Sequence, residues 1–150
     1  MAAMLITMQQ DVLVVDRMFG LVDEACVGEG LPNRLPGSDW AHASPHSVFL
    51  ETADMLRARL RVEVWDGSAD IEEGYWPDQV CMSLALPTAR FLVHQSDAGW
   101  DKGPHLPSPG RWRLRTSRRE APEELPWEAA SGDGVEACFL LQFWPDDRQG

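Results

Sequence analysis

Four histidines, three cysteines and several adjacent carboxylates are the side chains of this 150-residue chain suited to metal binding or proton transfer. His42 and His46 have the i, i+4 spacing that places two imidazoles on one helix face, but Pro45 lies between them and breaks such a helix. No cysteine or further histidine stands at ligand spacing beside them. His94 falls in an alternating run and His105 in a proline-rich stretch, which are positions of surface or capping histidines rather than of a general base. Cys26, Cys81 and Cys138 form no CxxC pair, and an odd count reads as reduced, packed thiols rather than a disulfide framework. Glu72–Glu73 and Glu123–Glu124 are sequence neighbours, and neighbouring side chains of an extended chain point to opposite sides. There is no GxSxG, no phosphate-cradling glycine loop and no HExxH. These residues describe a protein that is not an enzyme and uses no cofactor.

Asp66, Asp70 and Glu72 in one connection, with Asp97 and Asp101 in another, could offer hard oxygen ligands from two loops, as calcium-binding C2-like sandwiches do. The spacing does not fit the twelve-residue loop of an EF-hand.

Charge carries more information. Asp and Glu total 24 against 13 Lys and Arg, a net charge of −11, which disfavours non-specific binding to nucleic acid or an anionic membrane. The basic residues cluster: Arg57, Arg59 and Arg61 alternate along one run, Arg111, Arg113 and Arg115 along another, and Arg118 and Arg119 follow. The acids gather in connections. Exposed arginines on strands can pair with neighbouring carboxylates, each pair worth at most about 1 kcal/mol. Alternatively, two unlike surfaces can steer a charged partner, the acidic one meeting a basic protein. On that reading the partner-binding residues are Asp66, Asp70, Glu72, Glu73 and Trp76, then Glu120, Glu123, Glu124 and Glu128. Of the 7 tryptophans, Trp65, Trp76 and Trp100 could form a partly exposed cluster near these acids, but core or rim packing is the favoured reading of the tryptophans, and Trp112 faces inward.

The elements that must hold these residues show period two. Leu56, Ala58, Leu60, Val62 and Val64 alternate with arginines, Glu63 and Trp65 over 56–65, as in a strand with one apolar and one charged face. Gln79 to Leu86 and Arg90 to Gln95 alternate on either side of Pro87-Thr88-Ala89, and are expected to form a hairpin. Arg111 to Ser117 follows a Pro-Gly turn. Val135 to Trp144 is apolar on much of both faces, like a central strand. Met4 to Met8 with Val12 to Val15 gives one or two strands, and Ser47 to Thr52 a weaker one. Prolines and glycines fill 20–46 and 119–134, expected as two long irregular loops. The expected fold is all-β: a single antiparallel β-sandwich or jelly roll of seven to eight strands over 1–150. The first fifteen residues have no basic start to a signal peptide, and polar residues interrupt the run, so a cytoplasmic location is expected.

The order LRVEVWDG, CMSLALPTARFLV, LPSPGRWRLRTSRR and CFLLQFWP resembles uncharacterised actinobacterial β-sandwich proteins over roughly residues 46 to 145. More remotely, with its LITMQQDVLVVDR start, the layout resembles the competence protein J type of nuclease inhibitor. That resemblance implies a non-enzymatic protein that silences a toxic partner. The expected function is therefore a small acidic inhibitor or immunity-type protein occluding a basic partner such as a nuclease toxin. The alternatives are a calcium- or carbohydrate-binding C2- or jelly-roll-like module, and a structural subunit of a larger assembly.

Overall fold

Alternation of apolar and polar residues makes strands that can bury only one face, so two sheets must share their apolar faces. A computed structural model describes residues 2–14, 17–28, 33–34, 40–52, 56–69, 78–95, 99–120 and 137–146, and among these it is built almost wholly of strands. They are β1 (Met4–Val14), β2 (Met18–Asp23), β3 (Asn33–Arg34), β4 (Ala41–Ser44), β5 (Ser47–Glu51), β6 (Leu56–Trp65), β7 (Asp78–Leu86), β8 (Arg90–Gln95), β9 (Gly99–His105), β10 (Gly110–Glu120) and β11 (Ala137–Pro145). A short 3-10 turn, Glu24–Cys26, follows β2. One sheet has the order β1-β6-β11-β10-β7 and the other β3-β4-β5-β2-β8-β9. All pairs are antiparallel except β11 with β6.

The all-β sandwich is as expected, but the described residues form eleven strands rather than seven or eight. The core is made by Phe19, Leu21, Val48, Leu50, Phe91 and Val93 from the six-stranded sheet. Leu60, Val62, Val64, Leu84, Leu114, Phe139, Leu141 and Phe143 meet them from the five-stranded sheet. Phe139 stands edge-on to Phe19, with ring centroids 5.5 Å apart. β11 lies in the middle of its sheet and is buried nearly throughout, as its two apolar faces implied.

Three expectations are corrected. The stretch 20–46 is not one irregular loop, because most of β2, the 3-10 turn, β3 and β4 fall within it. The loop expected from 119 starts later, since β10 runs to Glu120, and residues 121–136 lie outside the described residues. β7 and β8 do not form a hairpin: β7 pairs with β10 in one sheet and β8 with β2 and β9 in the other. Pro87-Thr88-Ala89 instead carries the chain across the sandwich, with Ala89 at a positive φ of 59°. Asp23, fully buried, accepts from the backbone N–H groups of Thr88 and Ala89, from the Thr88 hydroxyl and from the N–H of Ala25.

Gly20 is needed by its neighbour. A Cβ there would lie far inside van der Waals distance of the Phe49 ring, which spans the strand at that point. Gly20→Ala is expected to cost about 1–3 kcal/mol, as overpacking does, seen as a fall in melting temperature. Combined with Phe49→Ala, the change at Gly20 should lose most of its cost, so the two effects will not add.

Candidate functional site

The arginine-bearing strands β6 and β10 flank β11, so their outward side chains meet on the outer face of the five-stranded sheet. That face is not the solvated cationic stripe the alternation suggested. Arg59 is only 2% exposed and Arg119 is buried too. Arg59 grips Asp11 of β1 with two hydrogen bonds, Nε to Oδ1 at 2.8 Å and Nη2 to Oδ2 at 2.9 Å. The Arg59 hydrogen bond and positive charge, with Arg57 adding to them, outweigh burial and hold the Asp11 carboxyl below its ordinary value.

Beside this pair, Glu63 is buried and accepts from Arg61 Nε (2.9 Å), Trp65 Nε1 (3.1 Å) and Gln142 Nε2 (3.0 Å). The Gln142 carbonyl oxygen accepts from Nε and Nη2 of Arg115 at 2.9 and 2.8 Å. Arg115 also donates to the carbonyl of Ala69 and lies 5.6 Å from the Trp144 ring centroid. The chain leaving β6 thus bends back over this face as far as Ala69. Arg118 pairs with Asp78 at 3.2 Å and sits over Trp40. Arg59, Arg113, Arg115 and Arg118 are therefore cross-links between strands, Arg59, Arg61 and Arg118 pair with carboxylates, and Arg57 and Arg111 remain exposed.

Of the expected partner-binding residues, Asp66 is exposed at the end of β6, where its carboxylate accepts the Ala3 N–H at 2.7 Å. Its own N–H donates to the Ala3 carbonyl. Glu120 is the last residue of β10. Asp70, Glu72, Glu73, Trp76, Glu123, Glu124 and Glu128 lie outside the described residues. Only Asp66 and Glu120 of this acidic set therefore fall among the described residues. No group of three or more His, Cys, Asp or Glu that could hold a metal ion occurs among the described residues.

Trp65 and Trp100 do not cluster, because Trp65 lies on the outer face of one sheet and Trp100 on the outer face of the other. Trp100 belongs to a feature that the sequence did not disclose. One cross-strand row of the six-stranded sheet runs Arg34, His42, Phe49, Gly20, His94, Trp100, one residue from each strand. Trp100 packs on His94 at 4.3 Å between ring centroids, and His94 meets Phe49 at 5.8 Å. His42 bonds Glu51 at 2.7 Å beside the row. Trp100 keeps 41% of its surface exposed, which makes it the large aromatic most open to a partner among the described residues. Only the register of five strand pairs aligns these residues; no spacing in the sequence signals it.

The other histidine and cysteine expectations divide. His105 is exposed, as expected of a surface histidine, while His46 Nδ1 bonds the carbonyl of Ala85. Cys26 and Cys138 are buried as free thiols, but Cys81 is exposed on β7, contrary to the packed position expected. β7 is an edge strand, and Cys81 faces away from the core.

No family model matches the chain, and no curated protein matches it. The kinship with actinobacterial proteins therefore has no support in these comparisons. Two solved structures have its fold. One is ComJ from Bacillus subtilis, an inhibitor of the DNA degrading activity of NucA, with a TM-score of 0.62, 9% identity, and coverage of 97% of this chain and 99% of ComJ. The other is Crocagin biosynthetic gene J, with a TM-score of 0.59, 13% identity, and coverage of 96% of this chain and 100% of that one. At these identities the likeness is one of fold, and it sets the two sheets of this chain beside those of a nuclease inhibitor.

Proposed function

We propose that this chain is a non-enzymatic binding protein of the inhibitor type, working in the cytoplasm as a single domain that occludes a nuclease with a basic surface. The observation that carries this reading is the match to ComJ along almost the full length of both chains. Two physical features support it. The described polar side chains able to do chemistry are largely committed to internal pairs: Asp11 to Arg59, Glu63 to Arg61 and Gln142, Asp23 to the crossover, His42 to Glu51. The chain also carries a net charge of −11, suited to the cationic groove with which a nuclease holds its phosphodiester substrate. Occlusion requires only a scaffold that presents acids, and these are assigned to Asp66, which is exposed, with Asp70, Glu72, Glu73, Glu120, Glu123, Glu124 and Glu128.

The test is recovery of the bound protein from native lysate at low and moderate salt, followed by a DNA-degradation assay with that protein purified. The expected result is a basic nuclease whose activity falls stoichiometrically as this chain is added, with weaker association at higher salt. Asp70→Asn combined with Glu72→Gln and Glu73→Gln should slow association at least about tenfold while leaving the melting temperature unchanged. A bound protein that degrades no DNA, or a nuclease unaffected by molar excess of this chain, overturns the reading.

A further inference from the structure

We infer that the β1 edge is an interface for a second copy of this chain, the two β1 strands pairing antiparallel to join two five-stranded sheets into one. This inference is independent of the inhibitor reading. Each sheet ends in two edges, and an open edge offers unpaired N–H and C=O groups to any extended chain unless it is blunted. Among the described residues, three of the four edges are blunted. β3 has two residues. β9 contains Lys102 and Pro104. On β7, the Ala85 N–H donates to the Pro45 carbonyl and the Ala85 carbonyl bonds the His46 ring, both from the turn between β4 and β5.

β1 is different. It is eleven residues long, MLITMQQDVLV, with no Lys, Arg or Pro. Among the described residues it carries most of the large apolar side chains left exposed: Met4, Leu5 at 58%, Ile6 and Leu13 at 54%. A groove of about 210 Å³ lies along its inner side, lined by Met8, Gln10, Leu60, Val62 and Pro104 among others. Such an edge is an aggregation hazard when bare, and a partner strand removes the hazard.

The pattern of β1 identifies the occupant. A two-fold interface requires a surface complementary to itself. With the axis at Gln9, Thr7 faces Asp11 of the second copy, Ile6 faces Val12, and Met8 faces Gln10 beside the groove. Leu5, at the bulge between Met4 and Ile6, comes beside Leu13. Gln9 thus meets Gln9 and Thr7 meets Asp11 near the centre, with Met8 against Gln10 the one mixed pair, and apolar residues meet apolar ones toward both ends. The repulsion expected between two chains of charge −11 is absent along this edge. Asp11 is the one ionised residue of the strand, and Arg59 of its own chain already neutralises it.

The test uses the full chain in sedimentation velocity across the micromolar range. The wild type should pass reversibly from monomer to dimer. Gln9→Lys places like charges at the axis and should raise the dissociation constant at least about tenfold. Its far-UV circular dichroism should be unchanged, because the Gln9 side chain is exposed. Independently, in a Cys81→Ser background, Gln9→Cys should form a disulfide with its own copy and Thr7→Cys should not. Opposed residues of antiparallel strands stand about 4.5–5.5 Å apart, within disulfide reach. A wild type that stays monomeric, a dimer indifferent to Gln9→Lys, or failure of Gln9→Cys to cross-link each overturns the proposal.

Discussion

Asp23→Ala is expected to destabilise the fold by about 3–5 kcal/mol, the loss seen when a buried, hydrogen-bonded charge is removed and its donors are left unsatisfied. For a domain of this size that lowers the melting temperature by roughly 10 °C. Burial alone would push the Asp23 carboxyl up. The N–H groups of Ala25, Thr88 and Ala89 and the Thr88 hydroxyl outweigh it and hold the carboxyl below its ordinary value near 3.8. The folded value is therefore below the unfolded one. The stabilisation is fully present above the unfolded value and is lost as the pH falls through about 4 toward the folded value. Melting temperature measured against pH should show wild type and Asp23→Ala far apart near neutrality and converging in acid. A constant gap down to the lowest pH would mean that the ionised carboxylate contributes nothing. Asp23→Asn should recover only part of the loss, since an amide must present its NH₂ group to donors that need an acceptor.

Glu63→Ala is expected to cost a similar amount, about 3–5 kcal/mol, because it removes the buried carboxylate to which Arg61, Gln142 and Trp65 all donate. Loss of the carboxylate also removes one hydrogen bond that holds the Gln142 amide, which aligns Arg115, so disturbance should spread from β6 through β11 to β10. Double-mutant cycles by denaturant unfolding check this: Glu63 with Gln142 should couple by about 1–3 kcal/mol, and Glu63 with the distant Asp23 should add simply. Simple additivity of Glu63 and Gln142 would dissolve the lattice into unrelated contacts. Replacing Glu63 and Arg61 together by leucine and methionine should be milder than Glu63→Ala, because no charge is then left stranded.

What the sequence disclosed was what alternation encodes. β6, β8 and β11 lie close to their expected places because each buries one regular apolar face or two. β2 carries no such signal because its middle outward residue is Gly20, whose missing side chain erases the alternation between Phe19 and Leu21. The supposed hairpin at Pro87 failed for a different reason. Three residues can close a hairpin or hand the chain to another sheet, and the group that decides, the Asp23 carboxylate, is 65 residues away. The same applies to Arg59, which looks solvated from its neighbours and is buried through Asp11, 48 residues distant. The site residues were less legible still. Asp66 stands out by its charge but is partly occupied in pinning Ala3, while the row ending in Trp100 depends on registers no local pattern states.

The parallel pairing of β11 with β6 has a kinetic consequence. β11, the last strand in chain order, sits at the middle of its sheet, with Ala137 beside Ala58 and Phe143 beside Val64. While a ribosome is still making that segment, the sheet exists only as two disconnected halves, β1 with β6 and β7 with β10, each baring an edge and an apolar face to the crowded cell. Closure must then wait for a contact between segments far apart in the chain, and topologies of this kind fold in roughly milliseconds to seconds rather than microseconds. The interval between synthesis of β6 and arrival of β11 is thus the period in which the nascent chain depends most on protection from aggregation.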